Sequence, residues 1–119
     1  MADTPDRRLT VKGQPPVPNG HTWVQTERKA HEAWGSLAVK KPRAAALLHH
    51  LVALMGQGNV VVVSMGDLGK ILGCAERTVY RAAADLEEGN WVQRLKVSGN
   101  VYGFAINTEV AWAGFRGAK

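Results

Sequence analysis

The chain has a single cysteine, Cys74, so no disulfide can form within it, and that usage fits a reducing compartment. Acidic residues are scarce, 10 against 15 Lys and Arg, which leaves a net charge of +5 over 119 residues. A balance this basic suits a polyanionic partner. Long apolar runs are missing too, and none approaches the ~18 residues that a membrane span requires. Residues 1–20 hold Pro, Gly and charge where a signal peptide needs an apolar stretch, so a cytoplasmic protein with no membrane partner is expected. Proline is rare beyond those twenty: Pro5, Pro15, Pro16 and Pro18 are four of the five. Residues 1–20 are therefore expected to form a flexible, basic, Pro-rich arm. Residues 21–119 are expected to be one domain, because a chain of this length supports one core and not two.

Catalytic constellations are lacking as well. Gly66-Asp67-Leu68-Gly69-Lys70 has neither the four-residue spacing nor the terminal Ser or Thr of a phosphate loop. His49 and His50 are adjacent, so on a helix they diverge by roughly 100° and cannot share one metal ion. Cys74 has no base or metal ligand near it in sequence and reads as a structural thiol. No Ser/His/Asp set and no carboxylate pair stands out. The expectation is a protein without catalysis, cofactor or metal.

What is present centres on Ser64 to Leu86, SMGDLGKILGCAERTVYRAAADL. Ser64 can cap a helix, with Asp67 three residues on in a capping-box pattern. Leu68, Ile71 and Leu72 form an apolar stripe at i, i+3, i+4. Gly73 lets the chain leave that helix with positive φ. Val79, Ala82, Ala83 and Leu86 repeat the stripe, while Arg77 and Arg81 lie four apart on the outward face. Two short helices, a Gly turn and outward arginines make a helix-turn-helix signature.

Upstream, Trp23-Val24 can begin a strand and Gln25 to Trp34 a short helix stopped at Gly35. Pro42 then opens a helix whose wide apolar face, Ala44, Leu47, Leu48, Leu51, Val52, Leu54 and Met55, implies burial on more than one side. Val60 to Val63 is a short β-branched run bounded by turn residues, expected to be a buried strand. Downstream of Gly89-Asn90 the period switches to two. Trp91 to Val97 and Tyr102 to Ile106 alternate around the turn Ser98-Gly99-Asn100, a hairpin. Thr108 can cap a final helix, Glu109 to Phe115. The four tryptophans read as core or interface residues. The fold class expected is α+β, mainly α: a winged helix-turn-helix with a three-stranded antiparallel sheet whose hairpin is the wing.

Charge is unevenly placed. Residues 1–43 hold Arg7, Arg8, Lys12, Arg28, Lys29, Lys40, Lys41 and Arg43 against Asp3, Asp6, Glu27 and Glu32, whereas residues 64–107 are neutral. Within the second helix of the signature the arginines come early and Asp85, Glu87 and Glu88 late, which suits a helix entering a groove by its N-terminal half. Arg77, Thr78, Tyr80 and Arg81 are the expected major-groove residues, arginine because it can bind guanine O6 and N7 together. Glu76 can accept from cytosine N4 or simply favour the helix N-terminus. Lys96, Ser98 and Asn100 are expected to reach the DNA backbone or minor groove, and Lys40, Lys41 and Arg43 to clamp phosphates. The expected partners are double-stranded DNA and a second copy, since specific sites are usually read by two-fold pairs. The His21–Leu37 stretch or the Trp112 helix is the expected dimer contact. A winged-helix protein-interaction module is the alternative from another class.

LGCAERTVYRAAADLEEGNWVQRL followed by GNVYGFAINTEVAWAG resembles winged-helix plasmid replication proteins of the RepL type. Tyr102, Asn107 and Trp112 fit that family's closing Tyr, Asn-Pro and Trp pattern. Ala75 stands where such helices begin with Ser, and Thr108 replaces the Pro. The resemblance implies a plasmid- or phage-borne DNA-binding protein of replication initiation or transcriptional control, with a plasmid-partition adaptor as the alternative. It also implies possible replication or partition proteins as partners.

Overall fold

The computed structural model describes residues 24–56 and 58–112. The expected arm, Trp23 and the end of the expected last helix lie outside them. In chain order the elements are β1 (Gln25–Thr26), α1 (Arg28–Lys40), α2 (Pro42–Leu54), β2 (Val60–Ser64), α3 (Met65–Leu72), α4 (Glu76–Glu88), β3 (Val92–Ser98), β4 (Val101–Ile106) and β5 (Ala111–Trp112). They form an α+β fold in which helices pack on one face of a three-stranded antiparallel sheet of order β2-β4-β3.

Pro42 divides α1 from α2. Its ring supplies no N–H and fits the first position of a helix, and Lys41 before it leaves helical geometry at φ −138°, ψ 72°. α1 buries only Trp34, which stacks on His49 at 4.4 Å and meets Trp91 at 6.0 Å. α2 buries Ala44, Ala45, Leu47, Leu48, Leu51 and Val52, the wide face the sequence predicts, although Leu54 is left exposed. Leu47, Leu48, Leu51, Met65, Leu68, Val79, Leu86 and Phe104 are the fully buried centre. Each contributes about 1.5–3 kcal/mol of transfer free energy.

The Ser64 hydroxyl caps α3 by accepting from the Asp67 N–H at 2.9 Å. Gly73 ends α3 in the left-handed region at φ 69°. Gly69 is buried where α3 meets the start of α4: a Cβ there would sit 2.8 Å from the Cys74 carbonyl oxygen. Only glycine permits that approach. α4 turns Val79, Ala82, Ala83 and Leu86 into the core, while Ile71 on α3 is half exposed at the margin of its stripe.

Two local expectations are corrected. The helix expected over Gln25 to Trp34 instead runs from Arg28 to Lys40, straight through Gly35. Gly35 faces open space, so its only penalty is backbone entropy, and burial of Trp34 offsets it. The expected helix over Glu109 to Phe115, capped by Thr108, is absent over its described part. The Asn107 side chain accepts from the Glu109 N–H at 2.9 Å and shapes a turn, after which Ala111–Trp112 pairs antiparallel with Gln25–Thr26. Strand pairing across the length of the domain overrides the local helical pattern there. Trp34 of α1 and Ala111 of this ribbon, one from each segment expected to hold a dimer, belong to the chain's own core.

Candidate nucleic-acid interface

The first two turns of α4 present three kinds of surface. Val79 points into the core and Tyr80 towards the hairpin, so Arg77 and Arg81 are left in solvent. Among the described residues neither arginine has a hydrogen-bond or ion-pair partner. Arg81 and the half-buried Thr78 line an open groove of about 610 Å³ with Lys41, Pro42, Arg43, Leu72 and Asp85. Arg43, from the start of α2, is thereby brought beside α4 across a gap of more than thirty residues in sequence.

Lys41 is occupied. Its Nζ lies 3.3 Å from Asp85 Oδ1 and 3.8 Å from Glu88 Oε1. These ion pairs are exposed, worth about 0–1 kcal/mol, but they place carboxylates beside the expected phosphate clamp. Lys40 is set apart from the group. It faces a different groove, with Leu37, Asp85, Glu88 and Trp91, beside the acidic end of α4.

The hairpin turn is fastened to the starts of both helices. The Asn100 carbonyl accepts from the Met65 N–H at 2.8 Å, and Asn100 Nδ2 donates to Glu76 Oε2 at 3.3 Å. Asn100 and Glu76 therefore meet each other, and Glu76 is held at the N-terminus of α4. Lys96 and Ser98 are exposed on the β3 arm, where a register shift falls between them.

Tyr80 sits edge-on to Tyr102 at 5.6 Å and 84° rather than standing out on the arginine face. Burial raises its phenol above the ordinary value, helped by the hydrogen bond to Tyr102 and by nearby Tyr102 and Glu76, against the opposing Arg94. Tyr80 thus stays a neutral hydrogen-bonding group. Arg94, to which sequence reasoning assigned no role, braces this pair. Its guanidinium lies 5.9 and 5.5 Å from the Tyr80 and Tyr102 ring centres, and its Nε donates to Glu87 Oε1 at 3.0 Å. The alternation of β3 places Arg94 on the inward face; its acceptor, at the end of α4, follows from no local pattern.

No family model, no curated protein and no solved structure matches this chain. Among the described residues no group of three or more His, Cys, Asp or Glu could hold a metal ion, and no helix is long and apolar enough to cross a membrane.

Proposed function

We propose that the chain is a sequence-specific duplex-DNA-binding protein, with α3 and α4 acting as the helix-turn-helix, α4 as the recognition helix and the β3–β4 hairpin as the wing. The observation that carries this is the unpartnered, exposed pair Arg77 and Arg81 on the leading half of α4, with Arg43 lining one groove with Arg81 and the hairpin turn bound to Glu76 at the start of α4. Unpaired guanidinium groups on a rigid element are available to base edges or phosphates at little reorganisation cost. Lys96 and Ser98 would follow the backbone. Tyr80 and Asn100 would act mainly by positioning, as would Glu76 unless it accepts from a cytosine. The resemblance of Tyr102, Asn107 and Trp112 to the closing pattern of RepL-type proteins favours a cytoplasmic role on plasmid or phage DNA, in replication initiation or transcriptional control, with partition as the alternative.

The test is selection of bound duplexes from a random library, followed by affinity measurements over a salt series. Log affinity should fall with log salt at about 0.9 per phosphate neutralised. Arg77→Ala and Arg81→Ala should each lose about 1–3 kcal/mol on the selected site and relax base preference. Unchanged binding by both variants would overturn the assignment of α4.

A further inference from the structure

The outer face of the sheet carries no charge. Its register sets Val62, Gly103 and Leu95 in one row and Val60, Ala105 and Gln93 in the next. Val62 is 63% exposed, Leu95 74% and Val60 46%, so β2 is buried on one face only and not, as its composition suggests, throughout. Gly103 and Ala105 keep the middle strand low, so Val60, Gln93 and Leu95 flank a largely apolar trough of about 530 Å³ rimmed by Glu87 and Arg94, with Val62 exposed beside Gly103. Apolar side chains clustered with charge only at their rim match the centre of a protein interface more closely than an ordinary surface.

We propose that this face docks a second copy of the chain, sheet against sheet. Charge selects the occupant. DNA gains nothing from an uncharged apolar face. Two chains of net charge +5 repel wherever their basic surfaces meet, and here they can approach with no like charges between them. The rim pair of Glu87 and Arg94, 3.0 Å apart, is itself neutral. Edge-to-edge addition through β3 is disfavoured, because that strand is interrupted by the register shift between Lys96 and Ser98.

Area sets the strength. Three strands about 4.8 Å apart and roughly 20 Å long give a patch of roughly 300 Å² in projection, well under the ~800 Å² per partner of a standard interface. Association is therefore weak in free solution and completes on a polymer that holds both copies. That last step rests on the duplex-binding reading. Two sheets packed about 10 Å apart, each with α4 about one helix diameter, ~10 Å, behind it, set the two α4 axes about 30 Å apart, close to the ~34 Å of one duplex turn.

Sedimentation equilibrium of the full chain from about 10 μM to about 1 mM, the range in which so small an interface dissociates, tests the contact without DNA. Leu95→Glu and Val62→Glu, both at exposed positions, should keep the wild-type circular dichroism and weaken dimerisation tenfold or more. Arg77→Ala should dimerise as the wild type does. On random-sequence duplexes of about two turns, wild type should bind cooperatively and Leu95→Glu should bind as single copies. Association seen only on the duplex, and lost in Leu95→Glu, also supports the proposal. A dimer that survives both face variants overturns it, as does a chain that stays monomeric both free and on duplex. If dimerisation follows the face variants but no duplex is bound, the DNA reading fails and the docking face stands.

Discussion

Asn59 offers a test in which backbone and side-chain effects separate. It is buried, sits in the left-handed region at φ 62°, and its Nδ2 donates to the Ile106 and Ala111 carbonyls at 3.1 and 2.7 Å. One side chain thus ties the end of β4 and strand β5 to the entry of β2. Asn59→Ala leaves two carbonyls short of a donor, at about 1 kcal/mol or more each, and puts a Cβ without local hydrogen bonding into left-handed backbone, at about 1–2 kcal/mol. The expected loss is about 3–5 kcal/mol, a large share of the ~5–15 kcal/mol of an ordinary domain. Asn59→Gly loses the same hydrogen bonds but not the backbone term, so it should be about 1–2 kcal/mol more stable than the alanine variant. Asn59→Asp turns an acceptor towards two acceptors and should be at least as unstable as Ala. Urea unfolding followed by tryptophan fluorescence measures this. With a slope of about 1.5 kcal/mol/M, a loss of 3 kcal/mol moves the midpoint by about 2 M. Glycine no better than alanine would show that the left-handed backbone carries no cost. An alanine variant within about 0.5 kcal/mol of wild type, inside the scatter of ordinary surface changes, would refute the staple altogether.

Other outcomes follow from single contacts. Ser64→Ala removes the cap of α3 and should lose about 1 kcal/mol in the same urea assay, while Ser64→Asp should retain most of it. Asp85→Asn releases Lys41 from its nearer carboxylate; duplex affinity should rise and the log–log salt slope steepen by up to about 0.9, with stability changed by less than about 1 kcal/mol. An unchanged slope would mean that Lys41 meets no phosphate. His49 is held below its ordinary value, first by burial and then by the nearby His31 and His50 charges. The unfolded chain therefore takes up that proton first as pH falls through about 6.5, so stability is full above that pH and drops below it. Wild type should lose more urea resistance between pH 7.5 and 5.5 than His49→Gln does, and equal losses would discard the assignment.

Local devices were legible in the sequence and distant ones were not. The Ser64 cap, the positive φ of Gly73, the buried stripe of α4 and the Ser98–Asn100 turn all follow from residues within one or two turns of each other. The register that leaves Val62 and Leu95 outside depends on which face the helices cover, and periodicity alone is symmetric between faces. Gly69 looks like one more helix glycine until the Cys74 carbonyl is found against it. Gln25–Thr26 and Ala111–Trp112 are two-residue strands whose only signal is each other. Of the expected interface residues, Thr78, Arg81 and Arg43 line one groove, while Lys40 lies apart and Tyr80 turns inward, because helical phase fixes direction only as well as the neighbouring elements are known.

The charge neutrality of residues 64–107 invites the reading that the domain binds protein and not nucleic acid, and the ion pairs argue otherwise. Asp85 and Glu88 are engaged by Lys41 from outside that stretch, and Glu87 is engaged by Arg94 within it. What remains without an ion pair there, among the described residues, is Lys70, Arg77, Arg81 and Lys96 against Asp67 and Glu76. Glu76 already accepts from Asn100, and Asp67 lies in the first turn of α3, where a carboxylate is stabilised by the helix dipole. The acids are thus paired at the far end of α4 or fixed at helix starts, and of the unpaired cations Arg77, Arg81 and Lys96 sit on the surfaces proposed to meet the duplex. A neutral sum hides a separation of sign, and a polyanion approaching the leading half of α4 responds to that separation rather than to the sum.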